Sequence, residues 1–379
     1  MKRIYLDHAA TTPLDGEVLK KMVPYFSEEF GNADSPHAAG RKAMGAVDNA
    51  RDTVADLLGA KPNEIYFTSG GTEADNWAVI GGAYAQKAKG KTHVIVSAIE
   101  HHAVLYAAEK LEKEGFTVTY LPVNEEGRVE PNTLKACISE NTGVVAVMYA
   151  NNETGVIQPI QELAKIAREK GALFFSDGVQ ATPYTSIDVK GLGVDMFSFS
   201  AHKLYGPKGC GVLYIKNGVK IEKFVGGGEQ ERGLRGGTTN VPAVVGLAEA
   251  FAKNARGVYE ANEKIKKLSE RFLKEISALD GVFVNGRGEK IPSVLNLRVE
   301  GVTNTELLYA LDLKGICISI GSACASGSVN PSHVLLAMGL SEKDAQNCVR
   351  ISFGKDNTEE EILQAATAFR ETVISLRSF

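Results

Sequence analysis

Between about residues 60 and 215, short apolar runs recur along the chain: Ile65-Tyr66-Phe67-Thr68, His93 to Ser97, Val144 to Tyr149, Ala172 to Ser176 and Asp195 to Phe199. Runs of this length with no polar face suit strands buried on both sides. Helical patterns lie between them. Pro159 to Lys170, for example, carries Ile160, Leu163, Ala164, Ile166 and Ala167 as one helical stripe. This alternation predicts an α/β fold with a mostly parallel sheet covered by helices. From 241 to 280 the pattern is continuously helical, with Lys264-Ile265-Lys266-Lys267-Leu268 and Arg271-Phe272-Leu273 on a long charged element. Ser293 to Val299, Ile316 to Ile320 and Val349 to Phe353 then read as strands among helices, a second and smaller α+β body. No internal repeat, low-complexity segment or long linker breaks this order.

The polar motifs fall where the apolar runs end. Ile65 to Thr68 leads into Ser69-Gly70-Gly71-Thr72-Glu73, and the run ending at Ser97 leads into Glu100-His101-His102. Val144 to Tyr149 leads into Asn151-Asn152-Glu153-Thr154-Gly155, and the run ending at Ser176 leads into Asp177-Gly178-Val179-Gln180. Ligands of open α/β sheets bind at the carboxyl ends of the strands. These motifs therefore predict one shared crevice.

Composition narrows the classes. A chain of 379 residues is long enough for two bodies with separate cores. A net charge of −4 without a basic stripe argues against direct nucleic-acid binding. No apolar run approaches the roughly 20 residues that span a bilayer, so no membrane partner is expected. The opening Met1-Lys2-Arg3-Ile4-Tyr5-Leu6-Asp7 meets an aspartate before any signal-peptide core can form, and the expectation is a cytoplasmic enzyme. Five scattered cysteines with no Cys-x-x-Cys pair make neither a disulfide framework nor a zinc site. Cys137, Cys210, Cys317 and Cys348 lie in apolar surroundings and read as buried small hydrophobes. Cys324 lies in Gly321-Ser322-Ala323-Cys324-Ala325-Ser326-Gly327, whose small polar residues suit an exposed, mobile thiol.

Candidate chemistry centres on Ser198-Phe199-Ser200-Ala201-His202-Lys203-Leu204-Tyr205-Gly206-Pro207. Lys203 follows a buried strand and precedes a Gly-Pro turn. Its amine is placed to hold pyridoxal phosphate (PLP) covalently, with Ser200 and His202 as phosphate donors; the alternative is a solvated surface lysine. Thr68 to Thr72 reads either as a plain helix cap or as an anion cradle at the start of a helix near Glu73. Asp177 is either a helix N-cap or the partner of a pyridinium nitrogen. His101 has an imidazole able to stack on such a ring and shuttle protons, whereas adjacent His101 and His102 are a poor metal pair. Arg350, a lone cation in an apolar strand, needs an anion, either a substrate carboxylate or a structural partner.

Taken in order, these motifs resemble the cysteine desulfurases of the NifS/IscS type, class V enzymes of fold type I that depend on PLP. The resemblance runs nearly the whole length. It rests on Tyr5-Leu6-Asp7 with Ala9-Ala10-Thr11-Thr12-Pro13, Phe30-Gly31-Asn32, Phe67 to Glu73, Glu100-His101 and Asn151-Asn152-Glu153. Asp177 to Gln180, the Lys203 window, Gln230-Glu231-Arg232-Gly233-Leu234-Arg235 and Gly321 to Cys324 complete it. The resemblance implies a large PLP-binding domain over 16–256 and a small domain over 257–379 that carries the Cys324 loop, with residues 1–15 joined to the latter. It also implies roles. Lys203 carries the cofactor, Asp177 pairs with the ring nitrogen, Gln180 bonds the ring oxygen and His101 stacks and moves protons. Gly71, Thr72, Ser200 and His202 hold the phosphate, with Thr238 reaching in from the second subunit of a homodimer. Asn152 is expected beside both cofactor and substrate, Asn32 and Arg350 at the substrate carboxylate, and Cys324 as the nucleophile.

The implied reaction takes sulfur from L-cysteine, giving L-alanine and a persulfide on Cys324. The acceptor would be an iron–sulfur scaffold protein or a tRNA-thiolation enzyme. No resident metal is implied beyond Cys324 as a transient ligand of an iron–sulfur cluster shared with a scaffold. A selenocysteine lyase, a class V aminotransferase and a non-catalytic sulfur relay are the rival readings. Departures from the family pattern are His8, Ala33 after Gly31-Asn32, Phe175, and the shifted glycine run Gly226 to Gln230. The chain also ends at Phe379 without the C-terminal extension that scaffold-docking members use, which leaves the acceptor open.

Overall fold

The computed structural model describes residues 3–321 and 331–378. Its strands, in chain order, are β1 (Ile4–Tyr5), β2 (Ile65–Thr68), β3 (His93–Ser97), β4 (Thr117–Leu121), β5 (Thr142–Ala146) and β6 (Leu173–Asp177). They continue with β7 (Met196–Ser200), β8 (Gly211–Ile215), β9 (Val282–Asn285), β10 (Val294–Val299), β11 (Ile316–Cys317) and β12 (Cys348–Ser352). Seven form one sheet in the order β2-β8-β7-β6-β5-β3-β4. Only β8 runs against the rest, being antiparallel to both β2 and β7. The mostly parallel sheet expected from the apolar runs is therefore present. The fully buried strands β2, β3, β5 and β7 explain why those runs show no alternation.

Some boundaries moved for identifiable reasons. The run Val144 to Tyr149 leaves the regular ladder after Ala146, because β3 ends at Ser97 and the chain there turns to Glu100. On that side the Met148 N–H donates to Glu100 Oε1 at 2.7 Å, while on the other Tyr149 N–H still reaches Asp177 O at 2.8 Å. Of the run Ile316 to Ile320 only Ile316–Cys317 is a strand, which pairs in parallel with β1. The edge strand β4 is half exposed and mixed in polarity, so it lacked an apolar signature.

A three-stranded antiparallel sheet, β12-β10-β9, lies in the second body. Ile4 and Leu6 of the N-terminal segment pack into its core with Leu295, Leu297, Val349, Ile351 and Phe369. The helix Val241–Ile276 joins the two cores. Val244, Leu247 and Phe251 on its first half pack with the large sheet, and Ile265, Leu268 and Phe272 on its second half pack with the small one.

Candidate active site

The strand ends converge as the motifs predicted. A cavity of about 160 Å³ is lined by His101 after β3, Met148 and Asn152 after β5, Asp177, Val179 and Gln180 at β6, and Ser200, His202 and Lys203 at β7. Gly71 and Thr72 open the helix Gly71–Asn76 on one side; Ala9 and Ala10 of the N-terminal segment and Arg350 of β12 close the other.

Lys203 sits on a single helical turn directly after β7. Gly206 N–H returns to Ala201 O at 3.0 Å, and Tyr205 adopts left-handed backbone at φ 61°, so the loop is tightly determined. The Lys203 Nζ donates to Ala9 O at 2.5 Å and Ala10 O at 2.7 Å. Ala9 O also accepts from Gln180 Nε2 at 2.9 Å. His202, next to the lysine, faces Thr11 Oγ1 at 3.1 Å. Burial, then Lys203 and Lys208, hold the His202 imidazole down at about 3, so it is uncharged.

Asp177 is buried, and one carboxylate oxygen accepts from Val179 N–H at 2.8 Å. Burial raises it to about 6, against the opposing pull of that N–H and of Lys203. Behind it lies a second buried carboxyl, Asp75, which accepts from Ser198 Oγ at 2.6 Å. Burial and the neighbouring Asp177 push Asp75 well above the usual carboxylate range. Glu100 is likewise pushed up to about 8, chiefly by burial. His101 caps the helix His102–Lys113: its Nδ1 accepts from Ala103 N–H at 3.2 Å, which assigns the ring proton to Nε2. Burial first, then Lys203 and the neighbouring histidines, lower it to about 4.

At Gly71 the cradle is narrow. A β-carbon on Gly71 would stand 2.8 Å from a Val179 methyl, so glycine is what keeps this wall open. Arg350, 1% exposed, donates from Nη2 to Asp7 Oδ1 at 2.8 Å and from Nη1 to Asn152 O at 3.0 Å. Its Nε has no hydrogen-bond partner among the described residues. Of the two anions the sequence left open for it, the structure supplies Asp7.

The aminotransferase class-V family model matches residues 4–364. The cysteine desulfurase IscS of Clostridium botulinum (strain Hall) is 48% identical over 365 residues, covering 95% of this chain and 92% of that protein. Among solved structures, a NifS-like protein superposes with a TM-score of 0.92 at 37% identity, covering 98% of this chain and 99% of that one. SspA in complex with cysteine superposes with a TM-score of 0.82 at 35% identity, over 93% and 99%. The chain belongs to the class-V aminotransferase family, among its cysteine desulfurases.

Not every residue expected at the centre of a desulfurase lines this cavity. Asn32 is exposed in the loop before the helix Ala38–Leu58, its Oδ1 accepting from Asp34 N–H at 3.0 Å. Thr238 is exposed just ahead of the long helix and away from this chain's own cavity. Cys324 lies outside the described residues. On either side of it, Gly321 and Ser332 both lie against Glu153, whose Oε2 accepts from Ser332 Oγ at 2.5 Å. Cys210 and Cys348 are buried as expected, while Cys137 and Cys317 are only partly so. Sequence reasoning missed Asp75, Ser198 and the Ala9 and Ala10 carbonyls. The first two carried a signal, a carboxylate just before the apolar run Trp77 to Ile80 and a hydroxyl between Phe197 and Phe199. A backbone carbonyl carries none.

Proposed function

We propose that this site takes sulfur from L-cysteine, releasing L-alanine and leaving a persulfide on Cys324. The observation that carries the reading is the convergence on one cavity of an amine, a buried carboxylate, an uncharged imidazole and a paired guanidinium, each from a different element. The cysteine held in the SspA structure supports the substrate.

Family membership implies PLP, and the residues fit it. Lys203 offers the amine, Asp177 an anion that burial leaves in want of a cationic partner, and Gln180, whose amide now donates to Ala9 O, would turn it to the ring oxygen. Gly71, Thr72, Ser200 and His202 form the phosphate end, on the wall that a β-carbon at 71 would obstruct. When bound, PLP supplies an electron-withdrawing ring that acidifies the substrate's α-proton. The chain supplies the rest. Lys203 Nζ, which donates to the Ala9 and Ala10 carbonyls, would carry the cofactor covalently and be released from it when substrate binds. His101, kept neutral by burial, would stack on the ring and carry the transferable proton at Nε2. Arg350, with Asn152 and Asn32, orients the substrate carboxylate. The Cys324 sulfur then forms a bond to the substrate sulfur as the carbon–sulfur bond breaks, and the carbon fragment takes a proton to become alanine. Burial pushes the thiols of Cys210 and Cys348 up to about 12 and raises Cys137 and Cys317, so none of these four is poised as a thiolate, which supports the reading of Cys324 as nucleophile.

The same reading divides the chain into 16–256 and 257–379, with 1–15 joined to the latter, and places Thr238 at the phosphate of the other subunit of a homodimer. Its persulfide would pass, in the cytoplasm, to an iron–sulfur scaffold protein or a tRNA-thiolation enzyme. No helix among the described residues is long and apolar enough to cross a membrane.

The test is alanine release from L-cysteine, with a reductant present, by the wild type and by Cys324→Ser. Release by the wild type alone is expected. Undiminished turnover by Cys324→Ser would remove Cys324 from the mechanism.

A further inference from the structure

His8 is 5% exposed, and neither of its ring nitrogens has a hydrogen-bond partner among the described residues. A buried polar group without a partner costs free energy, so its placement calls for a reason. The ring meets Tyr5 edge-on with centroids 5.0 Å apart and Tyr205 at a tilt, 6.3 Å away. It also packs on Gly354, where any β-carbon would overlap the imidazole. The polar groups around this socket bond among themselves. Gly354 N–H donates to Asn357 Oδ1 at 2.8 Å, and Asn357 Nδ2 donates to Tyr5 O at 3.2 Å.

The chain on both sides of His8 holds the site. Asp7 pairs with Arg350, and the Ala9 and Ala10 carbonyls take the Lys203 amine. Ala9 N–H is fixed by Ser352 Oγ at 2.8 Å. Tyr205, one wall of the socket, lies two residues beyond Lys203, and its N–H donates to Thr12 Oγ1 at 2.9 Å. The ring therefore sits between the Arg350 contact of residue 7 and the Lys203 contacts of residues 9 and 10.

We propose that His8 is a positioning residue: its ring, seated against Tyr5, Tyr205 and Gly354, sets residues 7–10 so that one stretch holds both the Lys203 amine and the Arg350 guanidinium. This rests on the roles given above to Lys203 and Arg350. It carries a pH dependence. Facing the ring are Asp7 and the Tyr5 carbonyl from its own segment and Asp356 and Asn357 from the loop after β12, all favouring the charged form. Tyr205 faces it from the Lys203 loop, with Lys355 Nζ above that phenol ring at 4.1 Å. Burial outweighs the acids and lowers the imidazole below its usual value. Because the unfolded chain then takes up the proton first, the seated state loses stability as the pH falls below about 6.5.

The test compares the wild-type holoenzyme with His8→Ala, His8→Phe and Gly354→Ala. Emptying the socket should raise KM for L-cysteine by about 10-fold and shift the pH midpoint of the bound cofactor's visible absorption. His8→Phe restores the ring's shape without its proton. It should recover most of KM while moving the acid limb of kcat/KM to lower pH. Gly354→Ala should reproduce the His8→Ala defects; if it fails to fold, His8→Ala/Gly354→Ala makes room for the methyl and should fold with the same raised KM. A pH profile of His8→Phe that superimposes on the wild type, or wild-type KM and absorption titration in His8→Ala, overturns the proposal. If the wild type releases no alanine, the functional reading fails, and the absorption titration of wild type against His8→Ala still decides the role of His8.

Discussion

The large sheet and the small antiparallel sheet each bring a fully buried charge to the same cavity, and they treat it in opposite ways. Asp177, at the end of β6, receives one backbone N–H, and burial holds it at about 6. Arg350, inside β12, is already paired with Asp7 and bonded to the Asn152 carbonyl. The sheet rim thus presents an anion still in want of a cation, whereas the small body presents a cation most of whose charge is met. A buried carboxylate is tolerable in that state when a ligand completes it. The asymmetry orients what binds: a cationic ring nitrogen toward β6, and an anionic group toward a guanidinium that keeps an unused Nε. It also separates the kinds of damage each side should suffer.

Damage at the unmet anion should be greatest. Asp177→Asn removes the group that stabilises positive charge on the ring, and kcat should fall on the order of 10²–10³-fold. The protein without cofactor should respond the other way. Asp177 ionises near 6 when folded, against a reference value of 3.8, so rising pH costs the folded state stability between those values, and the cost remains above them. Asparagine removes that cost, and at pH 8 the cofactor-free variant should melt about 3 °C higher than cofactor-free wild type. Calorimetry on both forms checks this. A lower melting point would show that Asp177 is already satisfied by the polypeptide.

At the met cation the expectation reverses: stability suffers together with binding. Asp7→Asn leaves Arg350 buried without its carboxylate, and breaking such a pair costs about 3–5 kcal/mol. Because Arg350 is then free to shift, KM for L-cysteine should rise about 10-fold while kcat changes less. Melting curves and initial rates decide it; unchanged KM with a lowered melting point would confine the pair to a structural role.

The two sides also differed in how far the sequence revealed them. The rim was legible because each motif follows an apolar run, and strands buried on both faces write their boundaries in unbroken hydrophobicity. Lys203, Asp177, Gln180, His101 and the Gly71 turn all fall at such boundaries, and all line the cavity. The partner of Arg350 was not legible. Asp7 is 343 positions away in the chain, and only the pairing of β1 with β11, with Asp7 beside Ser352, brings it near. Nothing local records a contact of that range. The Lys203 clamp was invisible for another reason: it is made of carbonyls, which every residue has. His8 was visible only as an oddity until its socket against Gly354 was seen.

The gentlest break tests the cradle, where the rim relies on shape and no charged side chain is replaced. A methyl on Gly71 would lie 2.8 Å from Val179 Cγ2 and 3.8 Å from Ser200 Cβ, so it meets a stiff β-branched side chain on one side and ordinary contact on the other. Gly71→Ala should therefore push Val179, and with it the Val179 N–H that donates to Asp177, out of place and weaken PLP binding by about 10-fold, roughly 1.4 kcal/mol. Val179→Ala removes the offending methyls. Combined with Gly71→Ala it should recover most of the lost affinity, since two substitutions in contact are not additive. Equilibrium titration of the cofactor-free variants with PLP, followed by visible absorption, measures both. If the double variant binds no better than Gly71→Ala alone, the glycine is needed for the approach of a phosphate to its backbone and not for the packing of Val179, and the cradle, like Asp177, is shaped by what it holds.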